Sequence, residues 1–242
     1  MTWFIYISVF LSVIISGISV LFMRISPKNL KLLLAFSGAY LFAISVMHLI
    51  PEIYASGDHD IGFYILIGFL LQVLMEFFSE GIEHGHIHVH EHDHQQHAFP
   101  YAMMAALSVH SFLEGMPLAQ NYHNELTDFP QRELLAGIIL HNIPIAIALM
   151  SMLLQSHIKK QAAVLWLLVF ALMTPLGTFT AAVIGENLLD ISAHFNKLMA
   201  IVIGIFLHIS TTILFESSEN HRFNLIKFLV ILSGCAVAMI HF

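Results

Sequence analysis

The chain has 242 residues, of which 58 % are hydrophobic and 10 % charged, with 9 Lys+Arg against 16 Asp+Glu. Soluble domains carry about 25 % charged residues; at a mean hydropathy of +0.81 a water-soluble globular fold is excluded and most of the chain belongs in lipid. The net charge of −7 argues against a nucleic-acid partner, which needs a basic face, and the one cysteine, Cys235, leaves neither an intramolecular disulfide nor a cysteine cage for zinc.

A helix needs about 20 apolar residues to cross the hydrocarbon core. Runs of that kind lie near 2–23, 30–51, 61–83, 99–121, 133–155, 161–184, 196–215 and 223–242. They are continuous, whereas barrel strands alternate every second residue over about 10 residues. The expected fold class is an all-α membrane protein with eight transmembrane helices in one transmembrane domain, 1–242. The first run lacks the basic segment of a signal peptide and has a longer apolar stretch, so it is expected to stay as a helix.

Lys and Arg set the orientation. Arg24, Lys28, Lys31, Lys159, Lys160, Arg222 and Lys227 fall at the first, fifth and seventh connections, against Arg132 and Lys197 on the other side. Odd-numbered connections are then cytoplasmic and both termini lie outside. The outer connections carry Asp58, Asp60, Glu125, Asp128, Glu186 and Asp190. Such a face either concentrates cations or is merely solvated. Short connections point to a bacterial inner membrane.

The third connection reads HGHIHVHEHDHQQH from His84 to His97. Imidazole is the commonest ligand for borderline metals such as zinc. The segment has low complexity and no apolar face, so it is expected to be a cytoplasmic, metal-binding loop over 84–97. The bland alternative is a pH-sensitive or simply tolerated polar loop.

Ionisable residues at membrane depth are costly, and each is a candidate for function. The fourth run carries His110-Ser111-Phe112-Leu113-Glu114-Gly115, with His110 and Glu114 one turn apart on one helical face. The fifth carries His141-Asn142-Ile143-Pro144. Pro144 removes the helical partner of the Leu140 carbonyl, and a locally opened helix beside an ion site recurs in transporters. Glu114 and His141 each lie about seven residues below the same outer surface, hence about 10 Å deep, with His110 one turn deeper. Neighbouring helices would therefore let His110, Glu114 and His141 surround one cation.

Other positions are open to two readings. His48, ahead of Pro51-Glu52, is a ligand near the outer mouth or an interfacial residue. Glu76, Glu80 and Glu83 form an exit ladder, or line a vestibule and pair across helices. His208 makes a structural hydrogen bond or lines the path.

These residues together resemble the ZIP (Zrt/Irt-like) family of divalent metal transporters. The resemblance rests on the eight runs, the His-rich third connection, His48-x-x-Pro51-Glu52, His110-Ser111-x-x-Glu114-Gly115 and His141-Asn142-x-Pro144. It implies movement of Zn2+, or of Fe2+ or Mn2+, into the cytosol, no enzymatic activity, and a homodimer. It also implies a two-bundle arrangement, helices 1, 4, 5 and 6 against 2, 3, 7 and 8, which slide past each other. The metal ligands implied are His110, Glu114 and His141, with Asn142 or water completing the shell and His48 as a further candidate.

The chain departs from the family pattern where a second metal would need ligands. The matching positions hold Ser111, Asn142, Ile145 and Thr174. Isoleucine cannot ligate, and neutral Ser, Asn and Thr are weak donors for a divalent ion. One carboxylate and two neutral imidazoles leave one divalent ion with a single net positive charge; a second ion would be hard to hold in low dielectric. A mononuclear site is therefore expected. Its donors suit zinc or iron(II) and are poor for calcium or magnesium. The alternatives are a membrane metal sensor without transport and an intramembrane zinc hydrolase, which also uses two His and one Glu.

Overall fold

The computed structural model describes residues 2–23, 25–55, 57–79, 101–119, 129–156, 158–187, 191–215 and 224–240. The His-rich stretch 84–97 lies outside them, as do Glu80, Glu83 and Glu125. Every regular element among the described residues is helical. In chain order, α1 is Thr2–Ser19, α2 Pro27–Tyr54, α3 Ile61–Ser79, and α4 Tyr101–Gly115 with a 3₁₀ turn Met116–Ala119. Then come α5 Phe129–Gln155, α6 Lys160–Asn187, α7 Ile191–Phe215 and α8 Leu225–Met239. One helix answers each of the eight apolar runs. Five are long and apolar enough to cross a bilayer by themselves: α2, α3, and the greater part of each of α5, α6 and α7.

Local chemistry sets the ends. Ser26 caps α2, its hydroxyl accepting from the Asn29 N–H at 3.2 Å, with Pro27 at the first helical position. Asn224 caps α8 by accepting from the Lys227 N–H at 3.1 Å, and Lys227 Nζ donates to the Ile213 carbonyl, tying α8 to the end of α7. Within the helices, hydroxyls turn back onto carbonyls three or four residues earlier, as Ser8, Ser12, Ser151 and Thr211 do. That keeps polar groups satisfied where lipid offers no partner.

Two sequence expectations about helix shape change. Pro144 sits inside α5, which continues through it as one helix; lacking an N–H, it still leaves the Leu140 carbonyl without its usual backbone partner. The irregular stretch falls in α2 instead, where Ser45–Leu49 forms a π-helical turn and the Ile50 N–H reaches Ser45 O. Pro51 is the cause at hand: it offers no N–H to the Met47 carbonyl, and the wider turn absorbs the defect. α5 also begins four residues earlier than its apolar run, which places Glu133 inside the helix.

Packing follows two patterns. α1 packs on α5 and α6, and α4 on α6; α3 packs on α7, and α2 on α7 and α8. Contacts of α2 with α5 and of α3 with α4 join these sets. One apolar cluster includes Leu107, Ile145, Leu149 and Phe170; another includes Leu41, Ile44, Ile138 and Phe206. Large side chains such as Phe63, Leu70 and Phe77 on α3 and Phe228 and Leu232 on α8 face outward. An outer surface of that kind suits hydrocarbon rather than water.

Two helix crossings share one backbone geometry. A Cβ on Gly115 of α4 would collide with the Thr174 carbonyl of α6, and one on Gly177 of α6 with the Phe112 carbonyl of α4. A Cβ on Gly68 of α3 would collide with the Ile201 carbonyl of α7, and one on Gly204 of α7 with the Ile65 carbonyl of α3. In both crossings each glycine meets the residue three before the other glycine. Glycine is required because the backbones touch, which is how helices associate where lipid removes the hydrophobic driving force.

Candidate metal site

The site is built where α4, α5 and α6 meet. His110 and Glu114 of α4 and His141 and Asn142 of α5 are all 0 % exposed. A buried carboxylate needs close partners, and Glu114 has a different set at each oxygen. Asn142 Nδ2 donates to Oε1 at 2.8 Å, and Thr174 Oγ1 of α6 donates to the same oxygen at 3.4 Å. Oε2 faces His110 Nε2 at 3.5 Å. The rings of His110 and His141 stand edge to face, with centroids 6.0 Å apart and planes at 83°.

The α4/α6 crossing holds this arrangement. Gly115, next to Glu114, lets α4 approach the Thr174 carbonyl. Thr178 Oγ1 lies 2.7 Å from the Gly115 carbonyl and 3.1 Å from that of Thr174, so it braces both helices. Thr174 is thereby set against Glu114 by backbone contact.

A zinc ion binds imidazole nitrogen at about 2.0–2.1 Å, so two imidazoles on one tetrahedral ion place their centroids roughly 5 Å apart. The observed 6.0 Å is about 1 Å wider than that. Accordingly, among the described residues no three His, Cys, Asp or Glu groups already close around one point. The donor types fit zinc or iron(II); the closure does not pre-exist.

The other singled-out residues fall into three places. His48 lies in the π-helical turn of α2 and is half-buried. Ile145 is fully buried in the apolar cluster. Glu76 and His208 pair between α3 and α7, Oε2 to Nε2 at 3.3 Å, with the His208 ring against Phe69. Asn142, expected as a possible ligand, turns its amide nitrogen to Glu114; its Oδ1 and the Ser111 hydroxyl oxygen are buried without a hydrogen bond among the described residues.

Sequence reasoning passed over Glu133. It is 4 % exposed on α5, and Tyr40 of α2 donates to its Oε2 at 3.4 Å. Its position at the edge of the apolar run reads as a solvated helix end. The signal available was the preceding Phe129-Pro130 pair, a suitable helix start, which carries α5 past Glu133.

Fold and site define a membrane protein that is helical throughout its described residues, with buried imidazoles and a carboxylate on α4 and α5 and a hydroxyl of α6 against the carboxylate. A sequence model described as ZIP zinc transporter matches residues 79–241, more than half of the chain. The chain belongs to the ZIP zinc transporter family, whose members are integral membrane proteins that move divalent metal ions. The match spans α4 to α8 and contains every residue of the Glu114 cluster. No curated protein sequence matches the chain.

Proposed function

We propose that this protein carries zinc into the cytosol, with iron or manganese as further substrates, through a mononuclear site of His110, Glu114 and His141. One observation carries the reading: fully buried Glu114 has Oε1 engaged by neutral Asn142 and Thr174 and Oε2 turned to His110, with His141 beside it. A divalent ion at Oε2 would gain one anionic oxygen and two imidazoles, a good set for zinc. Ile145 supports a single ion, because its side chain belongs to the apolar core.

The pairing of α1, α4, α5 and α6 on one side and α2, α3, α7 and α8 on the other supports a two-bundle transporter in which the first group carries the metal. The basic residues of the first, fifth and seventh connections support outside termini in an inner membrane. The stretch 84–97 would then be a cytoplasmic, metal-binding loop within a single transmembrane domain. The homodimer implied by the resemblance finds no support within one chain.

Zinc uptake into proteoliposomes holding purified protein, wild type beside Glu114→Ala, tests this. Saturable uptake that falls to background in the variant is expected. Wild-type uptake that persists in Glu114→Ala would remove the site. Zinc binding without uptake would favour a metal sensor, a reading that the isoleucine at 145 makes specific. Zinc-stimulated hydrolysis would favour the intramembrane hydrolase.

A further inference from the structure

The Glu114 carboxylate meets neutral donors at Oε1 and the His110 ring at Oε2. We infer that Thr174, acting with Asn142, is a positioning residue that holds Oε1 of Glu114 so that Oε2 is presented to the metal. The inference rests on the mononuclear reading above and assigns a task to a side chain that cannot serve a divalent ion well itself.

Three observations support it. Thr174 is 2 % exposed and its hydroxyl is directed at Oε1, 3.4 Å away. Asn142 Nδ2 reaches the same oxygen at 2.8 Å, so two neutral donors converge on one atom while His110 Nε2 lies at the other. Thr174 does not choose its place by rotamer alone: its carbonyl is the atom against which Gly115 packs, and it accepts from Thr178 Oγ1. The residue after Glu114 therefore sets the distance between α4 and the Thr174 backbone. The geometry of the crossing is transmitted to the carboxylate.

The chemistry explains why neutral donors belong there. A carboxylate with one oxygen unengaged can rotate about its terminal bond, which is broad and two-fold, and can present either oxygen to an ion. Two hydrogen bonds on Oε1 select one orientation. They do so without a second cation, whose charge the two neutral imidazoles would not offset. Outer-shell hydrogen bonds of this type orient ligating carboxylates, and losing one costs about 10- to 100-fold in metal affinity or activity.

The test is zinc uptake by full-length protein in proteoliposomes, with Thr174→Val and Thr174→Ser beside wild type. Valine keeps the shape and removes the hydroxyl; serine keeps the hydroxyl. For valine we expect KM to rise about tenfold, the lower end of the outer-shell range because the bond is long, with maximal rate largely retained. Serine should return KM close to the wild-type value. An unchanged KM in Thr174→Val would overturn the inference, as would equal impairment in Thr174→Ser, which would show a packing role. If valine does not fold, serine together with Asn142→Ala keeps the question open to refutation: serine should match wild type while Asn142→Ala raises KM. Glu114→Ala in the same vesicles separates the two levels. Uptake in that variant refutes the site itself; loss there with no effect of Thr174→Val refutes only the positioning role.

Discussion

The two glycine-paired crossings make a natural comparison. Their backbones meet in the same way, each glycine against the carbonyl three residues before the other. Their side chains do not. At the α3/α7 crossing, the residue before Gly68 is Ile67 and the residue three before Gly204 is Ile201. At the α4/α6 crossing the corresponding residues are Glu114 and Thr174. One crossing is a joint and the other is a joint with a carboxylate built into it. Both regions also contain a His–Glu pair. His110–Glu114 is 0 % exposed on both sides, whereas His208–Glu76 is 9 % and 28 % exposed. The second pair stands apart from the Glu114 cluster and is not sealed inside the protein, so its removal should matter less to transport. Close helix approach is thus a property of the backbone, and metal chemistry depends on what the sequence places beside it.

The largest expected difference between the crossings is in transport. Glu114→Ala should abolish zinc uptake, and His110→Ala and His141→Ala should do nearly as much. Glu76→Gln should leave most uptake. Loss of transport in Glu76→Gln equal to that in Glu114→Ala would mean that the path runs through both crossings, and vesicle uptake at matched protein density decides it.

Glycine replacement sharpens the comparison. Gly115→Ala and Gly68→Ala should each lower stability by about 1–3 kcal/mol through overpacking, measured as a shift in thermal unfolding in detergent. Only Gly115→Ala also moves Thr174 from Glu114. It should therefore raise the KM for zinc beyond what the stability loss accounts for, whereas Gly68→Ala should leave KM unchanged.

A smaller effect is expected from Ile145→Glu. It places a second carboxylate near the cluster, and zinc bound per chain at the site should rise from one to two. A ratio that stays at one would show that Thr174, Asn142 and Ser111 cannot support a second ion even with that charge. The smallest effect belongs to removal of 84–97, which should leave most transport intact and change its dependence on zinc concentration. Complete loss of uptake would make the loop part of the pathway.

Much of this was legible in the sequence. The eight helices follow from apolar length, because lipid leaves a spanning chain few alternatives. His110, Glu114 and His141 stand out because charge and imidazole are costly at that depth; the structure buries all three and sets the two rings 6.0 Å apart, but does not close them around one point. The finer arrangement was not legible. Asn142 reads as a donor of oxygen, yet which end of an amide faces a carboxylate depends on a tertiary contact. Thr174 gains its role from a crossing that neither helix encodes alone. Pro144 and Pro51 look alike in sequence, but α5 runs through the first unbroken and α2 relaxes into a π turn before the second. Glu133 escaped because hydropathy finds the apolar stretch and not the helix end.

In the proposed transporter one ion sits between His110, Glu114 and His141. Zinc K-edge absorption tests it most directly, on protein lacking 84–97 and loaded with a single equivalent of zinc. A site of His110, Glu114 and His141 gives two imidazole nitrogens at about 2.0–2.1 Å with oxygen completing the shell, and loss of bound zinc in Glu114→Ala. An unchanged spectrum and unchanged occupancy in Glu114→Ala, or in His110→Ala and His141→Ala together, would place the metal elsewhere.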